Sequence, residues 1–583
     1  MGIPHLISTL EPYVQHAVLQ DVDVVIDGPG LAHHILHVCR INGVDHPSYQ
    51  LLGATAANWL NNLASQNAVI RTIYFDGYLP SSKLPVRMQR AVKSTSQLAL
   101  FRGYSPRGCP RYHITEPLEA SSVDAFKNGR PKNKPLEAPS FLVPAIIEAL
   151  QRSDKYSPVV KVVPGEADGY CAKAVAEAGG IVITSDSDLL VHDLGAGGVA
   201  LLRDIYRDND GVVRAAVYRP REIFRTLGLS GISNIRRFAY ERSCSVHTTT
   251  AMLVRACSGP VRDRQSYTEF CIQYSEEERA VVPIFSSGDK LMLDELDPRW
   301  SELLLEMSQQ PSAAVATTFR MFLPVLIDNP EKGTAWENSR CIRQVAYSLA
   351  RSLLSPAICG PVHEYRRVQT RDQSGRQVPL LTQSSMRSQV SELADTLQSL
   401  AKLLPGSRDS LYWLLAYVVL DVRGSAADAR SPFAAEVLLQ QQAQWPSEST
   451  ATVAWSFAHF VAQLQATYYS LRMLRQLVRA SPPDAKRAAG PAAPLSRLSE
   501  ALDALPPLQD SPGVRGVSEM LSATPAGKIR QVLAHFVELP KSQTECKSSG
   551  KRTKKQKAID GGVSKKSTRN TATSNMFDLL PME

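Results

Sequence analysis

Four runs rich in Val and Ile, each leading into carboxylates, constrain the fold of this chain more than any other feature. Val22–Asp27, Val69–Asp76 and Ile181–Asp186 each end on an acidic residue, and Val159–Val163 passes through Pro164 and Gly165 to Glu166 and Asp168. Short apolar runs rich in β-branched residues read as strands buried on both faces. Between them, Leu31–Arg40, Leu51–Leu63 and Ala167–Ala178 carry helical spacing. This alternation of strand and helix predicts an α/β fold with a parallel sheet covered on both sides. Ligands of such sheets collect beyond the carboxyl ends of the strands, which is where these acids stand.

One acid at a strand end is most simply a helix cap or turn residue. Six of them, Asp27, Asp76, Glu166, Asp168, Asp186 and Asp188, call for more. If the strands are parallel neighbours, the six converge on one rim, where like charges raise one another's pKa unless a cation intervenes. Carboxylate oxygens suit hard cations such as Mg²⁺ or Mn²⁺, and two such ions about 3.5–4 Å apart can clamp the attacking and leaving oxygens of a phosphodiester. A phosphatase with a strand-end Asp nucleophile needs a second Asp two residues on. Pro29 stands there.

The opening Met1-Gly2-Ile3, the Ile-Asp at Asp27, the Phe-Asp-Gly at Asp76, Glu166-Ala-Asp168 and the Ser-Asp-Ser-Asp at Asp186 and Asp188 resemble, in order and spacing, the flap-endonuclease (XPG) superfamily with its PIN-like nuclease domain. The likeness covers about residues 1–220. It implies that the six acids hold two Mg²⁺ or Mn²⁺ ions, that a water attacks the phosphodiester, and that the amino end and Gly2 lie close to the substrate. Asp168 stands where many relatives carry Glu. Lys83 and Arg90 lie at the offsets of a Lys and an Arg that reach the scissile phosphate, where cations stabilise transition-state charge. Arg87 joins them as a substrate contact, or is part of a solvated amphipathic turn. Lys93 to Lys134, with Tyr104, Tyr112 and Phe126 interleaved, reads as a strand-gating arch or as a mobile surface insertion. Relatives continue with a Gly-x-Asp-Tyr segment that supplies one more acid, and then a duplex-gripping helical motif. Neither is recognisable here, and Glu241 is the nearest candidate for that acid. The difference points to the Asteroid-type branch, in which helical sequence replaces the duplex-binding part.

A chain of 583 residues exceeds one ordinary domain of roughly 100–200 residues. The expected division is a nuclease domain over 1–225 with an arch-like insertion and connecting helices at 88–158, an α-helical region over 226–540, and a basic disordered tail over 541–583. Within the helical region, Leu393, Leu397, Leu400 and Leu404 mark one helical face and Phe457 to Val478 a longer one; Ser481–Pro494 is the centre of a linker spanning 480–512. Net charge is +9, which fits a polyanionic partner; the resemblance implies DNA more than RNA. Nine scattered cysteines without a Cys-x-x-Cys pair argue against a zinc site and for reduced thiols. The first residues lack a secretory signal, Leu6 breaks the myristoylation pattern, and Leu411–Leu420 is too short to span a bilayer and reads as a buried helix. His33, His34 and His37 read as core or surface histidines, Cys171 as a packed thiol, and Asp193 as a turn residue. The run Lys551–Lys557 suits nuclear import, with a cytoplasmic location as the alternative. The helical region or Asn575–Leu580 could dock a protein partner. The function expected is a structure-specific, metal-dependent nuclease for branched, overhang or single-stranded-end DNA. The competing reading is a weak or inactive nuclease-fold scaffold working through protein or RNA partners.

Overall fold

Val24 and Ile26 face one side of a sheet and Val25 the other, and this two-residue period repeats from strand to strand. The computed structural model describes residues 2–537 apart from 116–122, 134–137, 246, 275–280, 284–290, 310–317, 355–357, 359, 405, 407, 441–449 and 482–492. Its main sheet contains β1 (Gln15–Val18), β2 (Asp23–Asp27), β3 (Val69–Asp76), β4 (Val160–Val163), β5 (Ile181–Thr184), β6 (Gly198–Arg207) and β7 (Val213–Tyr218). The order is β1-β7-β6-β5-β2-β3-β4. From β6 to β4 every pairing is parallel, as the strand–helix alternation predicts; β7 pairs antiparallel with β6, and β1 with β7.

The longer helices of the first part among the described residues are α1 (Gly28–Ile41), α2 (Tyr49–Ala64), α3 (Leu84–Tyr104), α4 (Leu142–Gln151) and α5 (Ala167–Ala178); α6 (Ile232–Cys244) follows the sheet. Val24, Ile26, Ile73, Phe75, Ile183 and Leu202 share one buried cluster with Leu31 and Ile35 of α1, Trp59 of α2 and Ile146 of α4. On the other face, Val25, Val182, Val199 and Leu201 pack with Cys171 and Val175 of α5 and Phe238 of α6. Full burial of each such side chain contributes about 1.5–3 kcal/mol. α4 is one of the helices within 88–158, and it covers the sheet because its Leu142, Ile146, Ile147 and Leu150 all turn inward.

Later elements are mostly helical: α7 (Pro298–Ser308), α8 (Arg340–Leu354), α9 (Gln383–Leu403), α10 (Ser410–Ala427), α11 (Trp455–Ala480) and α12 (Pro494–Asp503), with a small sheet of β8 (Phe319–Phe322), β9 (Val362–Tyr365) and β10 (Arg376–Val378). α9 carries the Leu393, Leu397 and Leu400 face, and α11 the longer apolar one. α10 contains Leu411–Leu420 and is buried along nearly its whole length; among the described residues no helix is long and apolar enough to cross a membrane. The core cluster on the first face of the sheet continues into these helices. Of the segment read as a linker, 482–492 lies outside the described residues, while α12 buries Leu498 and Leu502. The tail 541–583, with Lys551–Lys557 and Asn575–Leu580, lies outside them too.

One ionic knot ties this region together. Glu364 of β9 accepts from Arg343 Nε (2.6 Å) and Nη2 (2.9 Å), from Tyr347 (2.7 Å) and from Arg366 Nε (2.9 Å). Arg343 also donates to Ser339 (2.8 Å), to Ser470 of α11 (3.0 Å) and to the carbonyl of Trp336 (2.9 Å). Burial pushes the Glu364 carboxyl up, but the two arginines outweigh it and hold it at about 2.

Candidate active site

β2 delivers Asp27 to the rim and ends there because Gly28-Pro29-Gly30 starts α1, with Pro29 in the first turn. Asp27 caps that helix, accepting from the N–H of Gly30 at 3.2 Å, so the simple cap reading holds for it as well. A Cβ on Gly30 would stand 2.3 Å from Asp27 Oδ2, so only glycine leaves room for this turn. Asp27 also accepts from the buried hydroxyl of Thr184 at 2.7 Å, and Thr184 Oγ1 in turn accepts from the N–H of Asp186 at 2.9 Å. β2 and β5 are thereby locked at their acidic ends.

Asp76 closes β3 and accepts from the N–H of Ala167 at 2.7 Å, which fixes the start of α5 against the neighbouring strand. Glu166 stands at the cap of α5 and Asp168 in its first turn, where the helix dipole favours negative charge. Asp186 accepts from the N–H of Asp188 at 3.0 Å, and Asp188 accepts from the N–H of Ile3 at 3.0 Å. The structure brings all six acids to one rim. Burial, and then Asp27, Asp186, Asp76 and Glu166 around it, push Asp168 well above the usual carboxylate range. Burial followed by Asp186 pushes Asp188 up to about 7. Asp27 is raised by burial and by Asp186, against its hydrogen bonds to Thr184 and Gly30.

Lys83, just before α3, sits 3.2 Å from Glu166. Burial works against its charge, but Glu166, Asp168 and Asp188 prevail and raise its pKa, so it stays cationic. Arg90 lies two turns along α3, exposed, with its charge felt by His33. Arg87, read as a substrate contact, faces elsewhere: both ends of its guanidinium fork grip Glu302 of α7, one at 2.8 Å, and its face lies 3.9 Å from the Phe322 ring of β8. The later region thus clamps the helix that follows Lys83. Loss of this clamp in Glu302→Ala is expected to lower cleavage about tenfold through misplacement of Lys83, since small displacements of positioning groups cost up to 10²-fold. A steady-state assay beside a thermal melt checks this.

Gly2 approaches so closely that a Cβ there would lie 1.9 Å from Ser187 Oγ and 2.8 Å from Asp186 Oδ1. Gly2→Ala is expected to displace the loop bearing Asp186 and lower activity about tenfold or more, with the melting temperature nearly unchanged because Gly2 is exposed. Parallel rate and melting measurements decide it.

Two residues escape the sequence reading. Thr184 has a faint signal, since it directly precedes Ser-Asp-Ser-Asp. Tyr274 has none: it arrives from beyond α6, with its phenol bonded to Asp188 and its ring against His192 at 5.6 Å. Burial, then Asp188 and Asp186, raise its pKa far above the phenol range, so it remains a donor. Glu241, the candidate for the absent acid, is paired with Arg237 at 2.6 Å within α6 and does not supply it. His33 and His34 are depressed by burial, Cys171 is buried, and Asp193 accepts from Gly195 N–H at 3.1 Å in a turn, as expected for each.

An all-oxygen donor set of this kind fits a hard divalent cation. Among the described residues, no three His, Cys, Asp or Glu side chains are already gathered in a shape that could hold an ion.

A family model described as XPG domain containing matches residues 138–380. The match runs from α4 through Glu166, Asp168, Asp186 and Asp188 to Tyr274 and past β10; Asp27, Asp76 and Lys83 precede it. None of the curated proteins compared with the chain matches it. XPG-domain proteins are generally divalent-metal-dependent nucleases acting on nucleic acids. Acids converging on the rim of a parallel sheet and a match that runs through four of them make residues 138–380 of this chain similar to the XPG/flap-endonuclease superfamily.

Proposed function

We propose that the chain is a structure-specific nuclease that hydrolyses phosphodiester bonds in branched, overhang or single-stranded-end DNA, using two Mg²⁺ or Mn²⁺ ions. The observation that carries this reading is the gathering of the six acids at one rim, with Asp27, Asp76, Glu166 and Asp186 around Asp168, Asp188 beside Asp186, and Lys83 3.2 Å from Glu166. Asp27, Asp76, Glu166, Asp168, Asp186 and Asp188 would hold the ions, drawing closer as they bind. Bound ions would supply activation of the attacking water and stabilisation of the leaving oxygen. Lys83 and Arg90 would neutralise charge on the phosphate, and the close approach at Gly2 would let backbone near the substrate. Tyr274 holds Asp188 in place by donating to it.

Absence of the extra acid, with Glu241 engaged by Arg237, favours placement in the Asteroid-type branch and supports a second reading, a slow or inactive scaffold acting through protein or RNA partners. The division at residue 225, the nuclear location and the partner surface of the helical half belong to the proposal too. Labelled flap, overhang and single-stranded DNA, and the matching RNAs, are incubated with the full chain in Mg²⁺ or Mn²⁺ beside an Asp186→Ala, Asp188→Ala variant. Cleavage of DNA by the wild type alone supports the nuclease. Binding without cleavage in either metal moves the case to the scaffold.

A further inference from the structure

α4, the turn Leu291–Leu296 and the last turns of α11 enclose a cleft of about 470 Å³ that shares no residue with the acidic rim. Arg152, Arg472, Arg475 and Arg479 line it, with Glu148 and Glu295. Most of this charge is matched. Arg472 pairs with Glu148 at 3.1 Å and with Asp297 at 3.2 Å, Arg152 pairs with Glu148 at 3.1 Å, and Arg479 with Asp503 at 3.1 Å.

Arg475 is the exception. It makes no ion pair among the described residues: Nη1 donates to the carbonyl of Leu505 at 2.6 Å, and Nε is buried with no partner there. Its position is uncomfortable for a cation, since burial, then Arg479 and Arg472, pull its pKa down. A guanidinium that lines a cleft, with neighbours of its own sign and no carboxylate paired to it among the described residues, lacks an anion. Guanidinium forks match phosphate oxygens in geometry as well as charge. The amides of Gln151 and Gln476 add neutral polar groups, and Leu291 and Leu296 give the cleft an apolar wall.

We propose that this cleft is a second ligand site that binds a phosphate monoester, with Arg475 at its centre and Arg479 and Arg152 at its mouth. A free nucleotide and the phosphorylated end of a strand share that chemistry.

Binding of inorganic phosphate, adenosine monophosphate and a short 5′-phosphorylated oligonucleotide to the full chain is measured by calorimetry in EDTA at fixed ionic strength. EDTA keeps cation bridging at the acidic rim out of the signal. Saturable binding of one or more of them is expected, weakened at least tenfold in Arg475→Gln. Arg479→Gln, at an exposed position, is expected to weaken it severalfold and guards against an Arg475 variant that fails to fold. Tighter binding of the mononucleotide identifies a free nucleotide as the ligand, and tighter binding of the oligonucleotide a strand end. No saturable binding of any of the three, equal affinity in both variants, or equal affinity for the oligonucleotide without its phosphate overturns the proposal.

Discussion

Asp168→Asn is expected to abolish metal-dependent cleavage while raising the melting temperature of the protein in EDTA. Asp168 is the acid that feels the others most, with Asp27, Asp186, Asp76 and Glu166 all acting on it after burial itself. Without a cation, its charge is a liability to the fold, and an amide of the same shape removes that repulsion. With cations and substrate, the same charge is an asset that an amide cannot replace. Loss of one group aimed at transition-state charge typically costs about 10²–10³-fold, and loss of a carboxylate that would hold the ions should cost at least that much. The gain in melting temperature should be about 2 °C or more, given the usual 2–4 °C per kcal/mol for domains of this size. Opposite signs for activity and stability mark a residue kept for function. If both fall together, Asp168 is a structural residue and the proposed role fails.

Glu364→Gln is expected to destabilise the helical region by about 3–5 kcal/mol, because it breaks a buried pair and leaves Arg343 charged and uncompensated. Among the described residues, the remaining hydrogen-bond partners of Arg343 are the neutral oxygens of Ser339, Ser470 and Trp336, and the neighbouring Glu337 is paired with Arg366. The pH dependence has a definite sign. Glu364 is held at about 2 in the fold, against a usual value of 4.5, so its contribution is full above about 4.5 and is lost as pH falls through about 2. Urea midpoints of the wild type and the variant should therefore lie far apart at pH 7 and converge towards pH 2. A gap that stays constant across this range would mean that the lost charge is not the cause.

The parallel core of the sheet was legible because burial on both faces leaves an unbroken Val/Ile run, as in β2 and β5. The antiparallel edge was not: β1 is Gln-His-Ala-Val, exposed at two of its four residues, and carries no such pattern. Gathering of the six acids followed from the parallel strands alone, since each acid sits at a carboxyl end or in the loop just beyond it. Arg87 shows where local reading stops. Its offset from Asp76 suits a substrate contact, but Glu302 lies 215 residues away and no spacing announces it. Tyr274 also reaches Asp188 from far along the chain, with no spacing to announce it. The segment around α12 was misjudged for a different reason: Pro, Ala and Gly dominate its composition, while Leu495, Leu498 and Leu502 at helical spacing pack it against the core.

Counting bound Mn²⁺ by electron paramagnetic resonance, in the wild type and in Asp186→Ala, Asp188→Ala, is the most direct check on the acidic rim. Two ions per wild-type chain and a loss of at least one in the variant are expected. No binding by the wild type, or the same stoichiometry and affinity in both proteins, would contradict a metal centre built from these six carboxylates.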